Sequence, residues 1–178
     1  MSRLRTLIAI AAGALAMAAA PAALAHTSSV GSSSGSPTAN ICAGSIPCTY
    51  VNFKHGKPSD VVKHSGRVTD FSVNAGSIGG QVQLRVLRPV GHGKFKVIRS
   101  SSLQTVTMGG VNTFATSLKV RAGDVLALSN DSSGIYMSPA PTGTCVRYVQ
   151  GSLPDGATAK PDHRVVQLHL LLSAHVSG

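Results

Sequence analysis

The sequence contains neither tryptophan nor glutamate, and aromatic residues make up only 4% of its 178 residues. Few side chains can therefore serve as aromatic platforms for sugars, and Tyr136, in the segment GIYMSP, is the best exposed candidate. Glycoside cleavage normally uses two carboxylic acids, whereas the six acidic residues here are all aspartates scattered along the chain. Carbohydrate stays among the expected partners, and glycan cleavage is disfavoured.

Catalytic and metal-binding motifs are also scarce. The chain has no S-x-x-K motif, and its three cysteines have neither C-x-x-C spacing nor a neighbouring pair of histidines, as a zinc site would need. We expect no cofactor and assign no catalytic residues. An exported hydrolase directed at glycans or esters is the alternative, and its residues would converge only in the folded chain.

The first 25 residues have the layout of a secretory signal peptide. Arg3 and Arg5 precede an apolar stretch over residues 7–20, and Ala23-Leu24-Ala25 forms an A-x-A cleavage site. The apolar stretch is shorter than the roughly 20 residues that a membrane-spanning helix needs, and no later apolar run approaches that length. We therefore predict cleavage after Ala25, no transmembrane segment thereafter, and a protein that is secreted or at the cell surface.

The chain that follows has the size of one domain. Cleavage would leave 153 residues, of which fourteen are basic and six are acidic. Residues 26–40, HTSSVGSSSGSPTAN, are rich in serine and glycine and carry almost no apolar side chains. Burial cannot offset the entropy lost on ordering such a segment, so we predict a flexible leader over residues 26–40.

From about residue 46 onward, apolar and polar residues alternate in many short segments, among them TYVNF, RVTDFSV, QVQLRVLR, KFKVIR and VVQLHLLLSAHV. A period of two is typical of half-buried strands, and Gly, Pro, Asn and Asp clusters separate these segments. The pattern predicts an all-β fold: a single antiparallel β-sandwich over residues 41–178, jelly-roll-like or immunoglobulin-like, with about eight to ten strands.

Two segments within residues 66–131 are distinctive: GRVTDFSVNAGSIGGQVQLRVLRP and GVNTFATSLKVRAGDVLAL. They resemble a group of exported bacterial β-sandwich proteins of unknown function. In that group a G-x-V-T-x-F/W-x-V strand precedes an L-R-V-L-R-P strand, and a V-x-A-G-D-x-L-A/G-L strand follows. The resemblance implies the sandwich fold and the exported location. It implies no activity, because the group has no assigned catalytic residues.

Export would place the three cysteines, Cys42, Cys48 and Cys145, in an oxidising space, so we expect one disulfide and one remaining thiol. Cys48 and Cys145 each begin an apparent strand. A bond between them would close the longer loop and constrain the unfolded chain more strongly. We therefore favour Cys48–Cys145, with Cys42–Cys48 as the alternative.

Positive charge is concentrated in one part of the chain. Nine basic and two acidic residues lie within residues 54–99, which accounts for almost all of the excess positive charge after residue 25. The densest stretch, residues 84–99, reads LRVLRPVGHGKFKVIR and contains no acid. Its alternation predicts a hairpin with apolar residues facing inward, namely Leu84, Val86, Phe95 and Val97. The candidate binding residues, all electrostatic, are Arg85, Arg88, Lys94, Lys96 and Arg99.

A basic surface attracts anionic partners, which outside a cell are wall polymers, lipid headgroups and extracellular DNA. Specific nucleic-acid recognition would need aromatic side chains interleaved with the basic ones, and that pattern is lacking. We therefore expect an exported, non-catalytic protein that binds the anionic cell envelope or extracellular matrix. Charged residues on a strand edge also prevent pairing with other chains, and this structural role is the competing explanation.

One calcium candidate exists near the turn SNDSSG, where Asp124, Asn130 and Asp131 offer oxygen atoms. Asn and Asp side chains in turns also bond to their own backbone. We prefer that second explanation.

Overall fold

A computed structural model of the protein describes residues 26–42, 46–130, 134, 136–151 and 153–178. The predicted signal peptide, residues 1–25, lies outside the described residues. Within the described ranges, no helix has the length and apolar character needed to cross a membrane.

The described residues form fifteen β-strands, and every strand pair is antiparallel. The strands are β1 (Thr27–Ser32), β2 (Cys48–Lys54), β3 (Lys57–Pro58), β4 (Gly66–Ala75), β5 (Gly80–Pro89), β6 (Phe95–Ser100), β7 (Gln104–Val106), β8 (Gly110–Val120), β9 (Val125–Asn130), β10 (Met137–Pro139), β11 (Thr144–Gln150), β12 (Thr158–Ala159), β13 (His163–Val166), β14 (Leu168–Leu170) and β15 (Leu172–Ser177). The all-β prediction is confirmed. Ten strands have four or more residues, and the additional strands are two- or three-residue pairings in the connections.

The strands form two principal sheets. The small sheet has the order β1-β15-β4-β8, and the large sheet has the order β12-β6-β5-β9-β2-β11-β13, with β3 paired to β2 and β7 paired to β5. Strands β10 and β14 form a separate pair. Whether the topology is closer to a jelly roll or to an immunoglobulin domain stays a prediction.

The main core fills the space between the two sheets. The small sheet contributes Val30, Val68, Phe71, Val73, Leu118, Val120, Leu172, Ala174 and Val176. The large sheet contributes Cys48, Tyr50, Val82, Leu84, Val86, Leu126, Leu128 and Val146. Because both sheets present their apolar face to the other, the two layers stabilise each other by burial.

A second apolar cluster, the outer core, lies on the opposite face of the large sheet. It consists of Val51, Phe53, Leu87, Phe95, Val97, Val125, Ala127 and Cys145, with Val61 and Leu153 packed against it. The rings of Phe53 and Phe95 meet edge to face, with centroids 6.4 Å apart. The large sheet is therefore apolar on both faces.

The outer core corrects the predicted orientation of the 84–99 hairpin. Leu84 and Val86 face the main core, as expected, but Phe95 and Val97 face the outer core. The pairing of β5 with β6 shifts register between Val86 and Leu87, and such a bulge reverses which face the following residues occupy.

The flexible leader predicted for residues 26–40 differs from the structure. Residues 27–32 form strand β1, which pairs along its whole length with β15 at the edge of the small sheet. Val30 is only 5% exposed and joins the main core. The Asn74 side chain also donates to the carbonyls of Ser33 and Gly35, at 3.1 and 2.8 Å. Backbone pairing supplies the stabilisation that the side chains cannot.

The favoured disulfide, Cys48–Cys145, was wrong, and the structure contains the alternative, Cys42–Cys48, with 6.4 Å between the Cα atoms. Strands β2 and β11 are neighbours, but their register places Cys48 opposite Gln150 and Cys145 opposite Phe53. Five positions of offset correspond to about 17 Å, far beyond disulfide reach. Cys145 is a free, buried thiol in the outer core.

Candidate functional site

A cleft of about 480 Å³ opens where one end of the small sheet meets strands β5 and β6 of the large sheet. Five basic side chains line it, and we call it the basic cleft. They are Arg67, Arg88, Arg99, Lys119 and Arg121. None of its described lining residues is acidic in its side chain.

Strand pairing brings these residues together from distant parts of the chain. Arg67 on β4 lies directly opposite Lys119 on β8, and Arg121 follows at the end of the same strand. Arg88 is near the end of β5, and Arg99 lies on β6 opposite Val86. Because the ends of the two sheets converge here, cations from both layers face one opening.

Asp124 holds one of these cations in place. Its carboxylate is 1% exposed and accepts hydrogen bonds from Nε and Nη2 of Arg88, at 2.8 and 2.9 Å. Oδ2 of Asp124 also accepts the backbone N–H of Arg121 at 2.9 Å. These hydrogen bonds raise the pKa of Arg88 above its ordinary value. The pair therefore fixes both the Arg88 side chain and the turn that carries Arg121.

The remaining cations differ in how they are held. Arg67 donates from Nη1 to the carbonyl and hydroxyl oxygens of Ser117, at 3.2 and 2.8 Å. Arg99, Lys119 and Arg121 are exposed, and their side chains make no hydrogen bond or ion pair with the described part of the chain. These three cations are available to a ligand.

The floor of the basic cleft requires a glycine. A Cβ at Gly66 would lie 2.2 Å from the carbonyl oxygen of Ser177, so only glycine permits this approach of the strand ends. Gly178 lies beside Ser177 in the same wall. Asp124 neutralises one of the five cations, so the basic cleft keeps an excess of four positive side chains.

Two of the five predicted binding residues, Arg88 and Arg99, line the basic cleft. Lys94 and Lys96 are exposed on the hairpin but are not among its lining residues. Arg85 was expected to face outward into solvent and is instead 7% exposed.

Sequence reasoning missed the other cations of the cleft, which are Arg67, Lys119 and Arg121. Arg67 was counted within the basic region but not singled out, and the other two lie beyond residue 99. The available signal was local: Lys119 and Arg121 flank a buried valine at the end of an alternating strand, directly before the turn that contains Asp124.

The structure does not bring together the residues of the candidate calcium site. Asp124 and Asn130 lie at opposite ends of β9, which corresponds to about 20 Å along an extended strand. Asp124 is engaged by Arg88, and Asp131 lies outside the described residues. In the part of the chain that the structure describes, no three His, Cys, Asp or Glu side chains are grouped as a metal site would need.

The aromatic residues do not form an exposed sugar platform in the described ranges. Tyr136, the sequence candidate, is 1% exposed and belongs to the main core. Tyr50 is also buried there, and burial raises its pKa to about 12. Tyr148 stacks on His163 with 4.9 Å between ring centroids. The expectation that Tyr136 is exposed was therefore wrong, and carbohydrate as a partner stays a prediction.

Hydrolase chemistry finds little support in the described residues. No aspartate lines the basic cleft or the two smaller clefts beside Phe95 and beside Arg85. His175 Nδ1 and Asp70 Oδ1 are 2.6 Å apart, but this pair lies on the exposed face of the small sheet. No described hydroxyl or thiol is hydrogen-bonded to the other ring nitrogen of His175. The pair therefore lacks a nucleophile to activate.

Residues 31–35, GSSSG, formally match the nucleophile motif G-x-S-x-G. They begin within the last two residues of the edge strand β1 and do not lead into a helix, as that motif requires. The hydroxyl of Ser33 accepts a hydrogen bond from Ser173 at 3.0 Å. The match therefore lacks the structural context of a catalytic serine.

Comparisons of the chain with protein-family models, with curated proteins and with solved structures found no match. The resemblance to exported bacterial β-sandwich proteins therefore stays a prediction, and the candidate site is interpreted from its own geometry.

Proposed function

We propose that the protein is an exported, non-catalytic β-sandwich protein that binds anionic polymers or headgroups of the cell envelope or extracellular matrix through the basic cleft. The observation that carries the proposal is the convergence of five basic side chains on one opening without an acidic side chain among its lining residues. The export component rests on the pattern of residues 1–25.

The chemistry of the cleft suits a repeating anion. Arg88 is held rigidly by Asp124, while Arg99, Lys119 and Arg121 are exposed and free to adapt. An open cleft admits a polymer or a surface, and phosphate or carboxylate groups can contact several cations at once. Such binding weakens as salt rises, because exposed charges are screened.

Co-sedimentation with anionic vesicles of phosphatidylglycerol and with purified bacterial envelope tests the proposal. The variant Lys119→Gln/Arg121→Gln removes two cleft charges. Each basic residue near an anionic surface contributes about 1 kcal/mol, so retention should fall by about tenfold or more. Protein expressed from the full chain and purified after secretion is the material for the assay.

The matched control is Lys57→Gln/Lys160→Gln, which removes the same charge from two exposed lysines outside the cleft. It should keep most of the retention at every salt concentration. Equal losses of retention in the two variants would mean that binding depends on net charge and not on the basic cleft. Salt-independent retention, or none, would remove the electrostatic proposal altogether, and turnover of ester or glycan substrates would favour the hydrolase alternative.

A further inference from the structure

A second cleft, of about 190 Å³, lies beside Arg85 and shares no lining residue with the basic cleft. It opens on the face of the large sheet that carries the outer core, since Arg85 alternates with the inward-facing Leu84 and Val86 on β5. We call it the Arg85 pocket. Its existence was not suggested by the sequence.

The guanidinium of Arg85 is buried and only partly satisfied. Its Nε donates to Ser129 Oγ at 2.9 Å, and its Nη1 donates to Ser100 Oγ. Nη2 makes no hydrogen bond to any residue that the structure describes. Since the residue is only 7% exposed, this largely buried cation leaves three of its five N–H donors, two on Nη2 and one on Nη1, without an acceptor in the described part of the chain.

The charge of Arg85 is likewise incompletely compensated. The nearest carboxylate, that of Asp155, has Oδ1 3.8 Å from Nη1, and its side chain is 56% exposed. Asp155 also accepts a hydrogen bond from Ser100. A buried charge is normally paired and fully hydrogen-bonded. A small anion in the pocket can therefore complete the charge pairing and hydrogen bonding of Arg85.

The remaining wall indicates what kind of anion fits. Pro47 and Leu103 give the wall an apolar part, and Leu103 is exposed at its rim. Gln83 and Ser129, which lie opposite each other on β5 and β9, give it a polar part next to Arg85. With one cation and an apolar wall, this pocket suits a single anionic group that carries an apolar tail.

We propose that the Arg85 pocket binds small organic carboxylates. The carboxylate accepts hydrogen bonds from Nη2 of Arg85, and a short apolar tail packs against Leu103 and Pro47. This site is separate from the proposed envelope-binding function, so either proposal can fail without the other.

Titration of the 15N-labelled protein with hexanoate, followed by two-dimensional NMR, tests the proposal. Hexanoate should produce saturable shifts at the amides of Gln83 and Ser129. Its affinity should exceed that of hexanamide, which lacks the charge, and that of acetate, which lacks the tail, by about tenfold or more in each case.

Variants separate a ligand site from a structural arginine. Arg85→Gln should abolish saturable binding of hexanoate. Leu103→Ser should lower the affinity for hexanoate about fivefold and leave the affinity for acetate unchanged. Asp155→Asn should raise the affinity for hexanoate several-fold, because it removes the carboxylate that competes for the Arg85 guanidinium. Leu103 and Asp155 are both exposed, so these two variants keep the test valid if Arg85→Gln does not fold. Lys119→Gln, in the basic cleft, is the control and should not alter the titration.

Three results would overturn the inference: no saturable shift with hexanoate, equal binding of hexanamide, or hexanoate affinity unchanged by both Leu103→Ser and Asp155→Asn. In each of these cases Arg85 serves only to tether the segment that carries Asp155 to the large sheet.

Discussion

The carboxylate of Asp124 accepts two parallel hydrogen bonds from the guanidinium of Arg88, one from Nε at 2.8 Å and one from Nη2 at 2.9 Å. The side chain of Asp124 is almost fully buried, whereas that of Arg88 remains 34% exposed toward the basic cleft. The carboxylate therefore positions a cation without closing the site to a ligand.

Asp124→Ala should lower the free energy of unfolding by about 2 kcal/mol, which is less than a fully buried pair would lose because Arg88 is partly solvated. The variant also deprives the Arg121 backbone N–H of its acceptor. Urea denaturation measures the loss. Asp162→Ala, at an aspartate whose side chain is 71% exposed, is the control and should change stability little. Equal stability of the two variants would contradict the structural role of Asp124.

The Cys42–Cys48 disulfide should be found by peptide mapping under non-reducing conditions, with Cys145 as the free thiol. Cys42→Ser/Cys48→Ser should cost about 2 kcal/mol, the chain-entropy value for a ring of this size. The buried Cys145 should react with a thiol reagent only after unfolding. Rapid reaction of one thiol in the folded protein, or a Cys48–Cys145 peptide, would contradict the structure.

Asp60 should give stability an unusual pH dependence. Its carboxylate is buried, and burial raises its pKa above the ordinary 3.8, although Asn52 Nδ2 and Ser59 Oγ donate to it at 2.8 and 3.0 Å. The folded state therefore holds this proton to a higher pH than the unfolded state. Between the two pKa values, stability falls as pH rises.

Comparison with Asp60→Asn isolates this effect from the other carboxylates. The stability of the natural protein minus that of the variant should decrease as the pH rises above the ordinary pKa of an aspartate, as measured by urea denaturation at each pH. A difference that stays constant or grows with pH would show that the folded protein does not favour the protonated form of Asp60.

The outer core should contribute to stability as a true core. Phe95→Ala removes the ring that meets Phe53 edge to face and should cost about 3 kcal/mol. Because β12 is at the edge of the large sheet and pairs with β6, the segment around residues 153–161 should also become more sensitive to protease. Val90→Ala, at a side chain 49% exposed in the same hairpin, should be nearly neutral. A small cost for Phe95→Ala would mean that the outer core is only a surface cluster.

Part of the fold could be predicted because alternation is a local property of the sequence. The all-β class and the strands around β2, β4, β5, β6 and β15 follow from a period of two. The main-core assignment of Leu84 and Val86 was confirmed. That of Phe95 and Val97 was wrong, because alternation does not say which of two apolar faces a residue occupies.

Less of the candidate site could be predicted. Charge counting found Arg88 and Arg99, since both lie in the densest basic stretch. It did not find Lys119 and Arg121, which join the cleft only through the pairing of β4 with β8. It also placed Arg85 on the surface, because its local pattern does not indicate that the segment carrying Asp155, some seventy residues later, packs beside it.

The sequence by itself determined the class of secondary structure, the excess of positive charge and the scarcity of catalytic motifs, all of which are properties of composition and short-range pattern. Only the tertiary structure decided which cysteines pair, which face of a two-sided sheet each apolar residue occupies, and which cations share a cleft. The physical reason is register: a shift of one residue in strand pairing moves every following side chain to the other face, and neighbouring residues do not encode it.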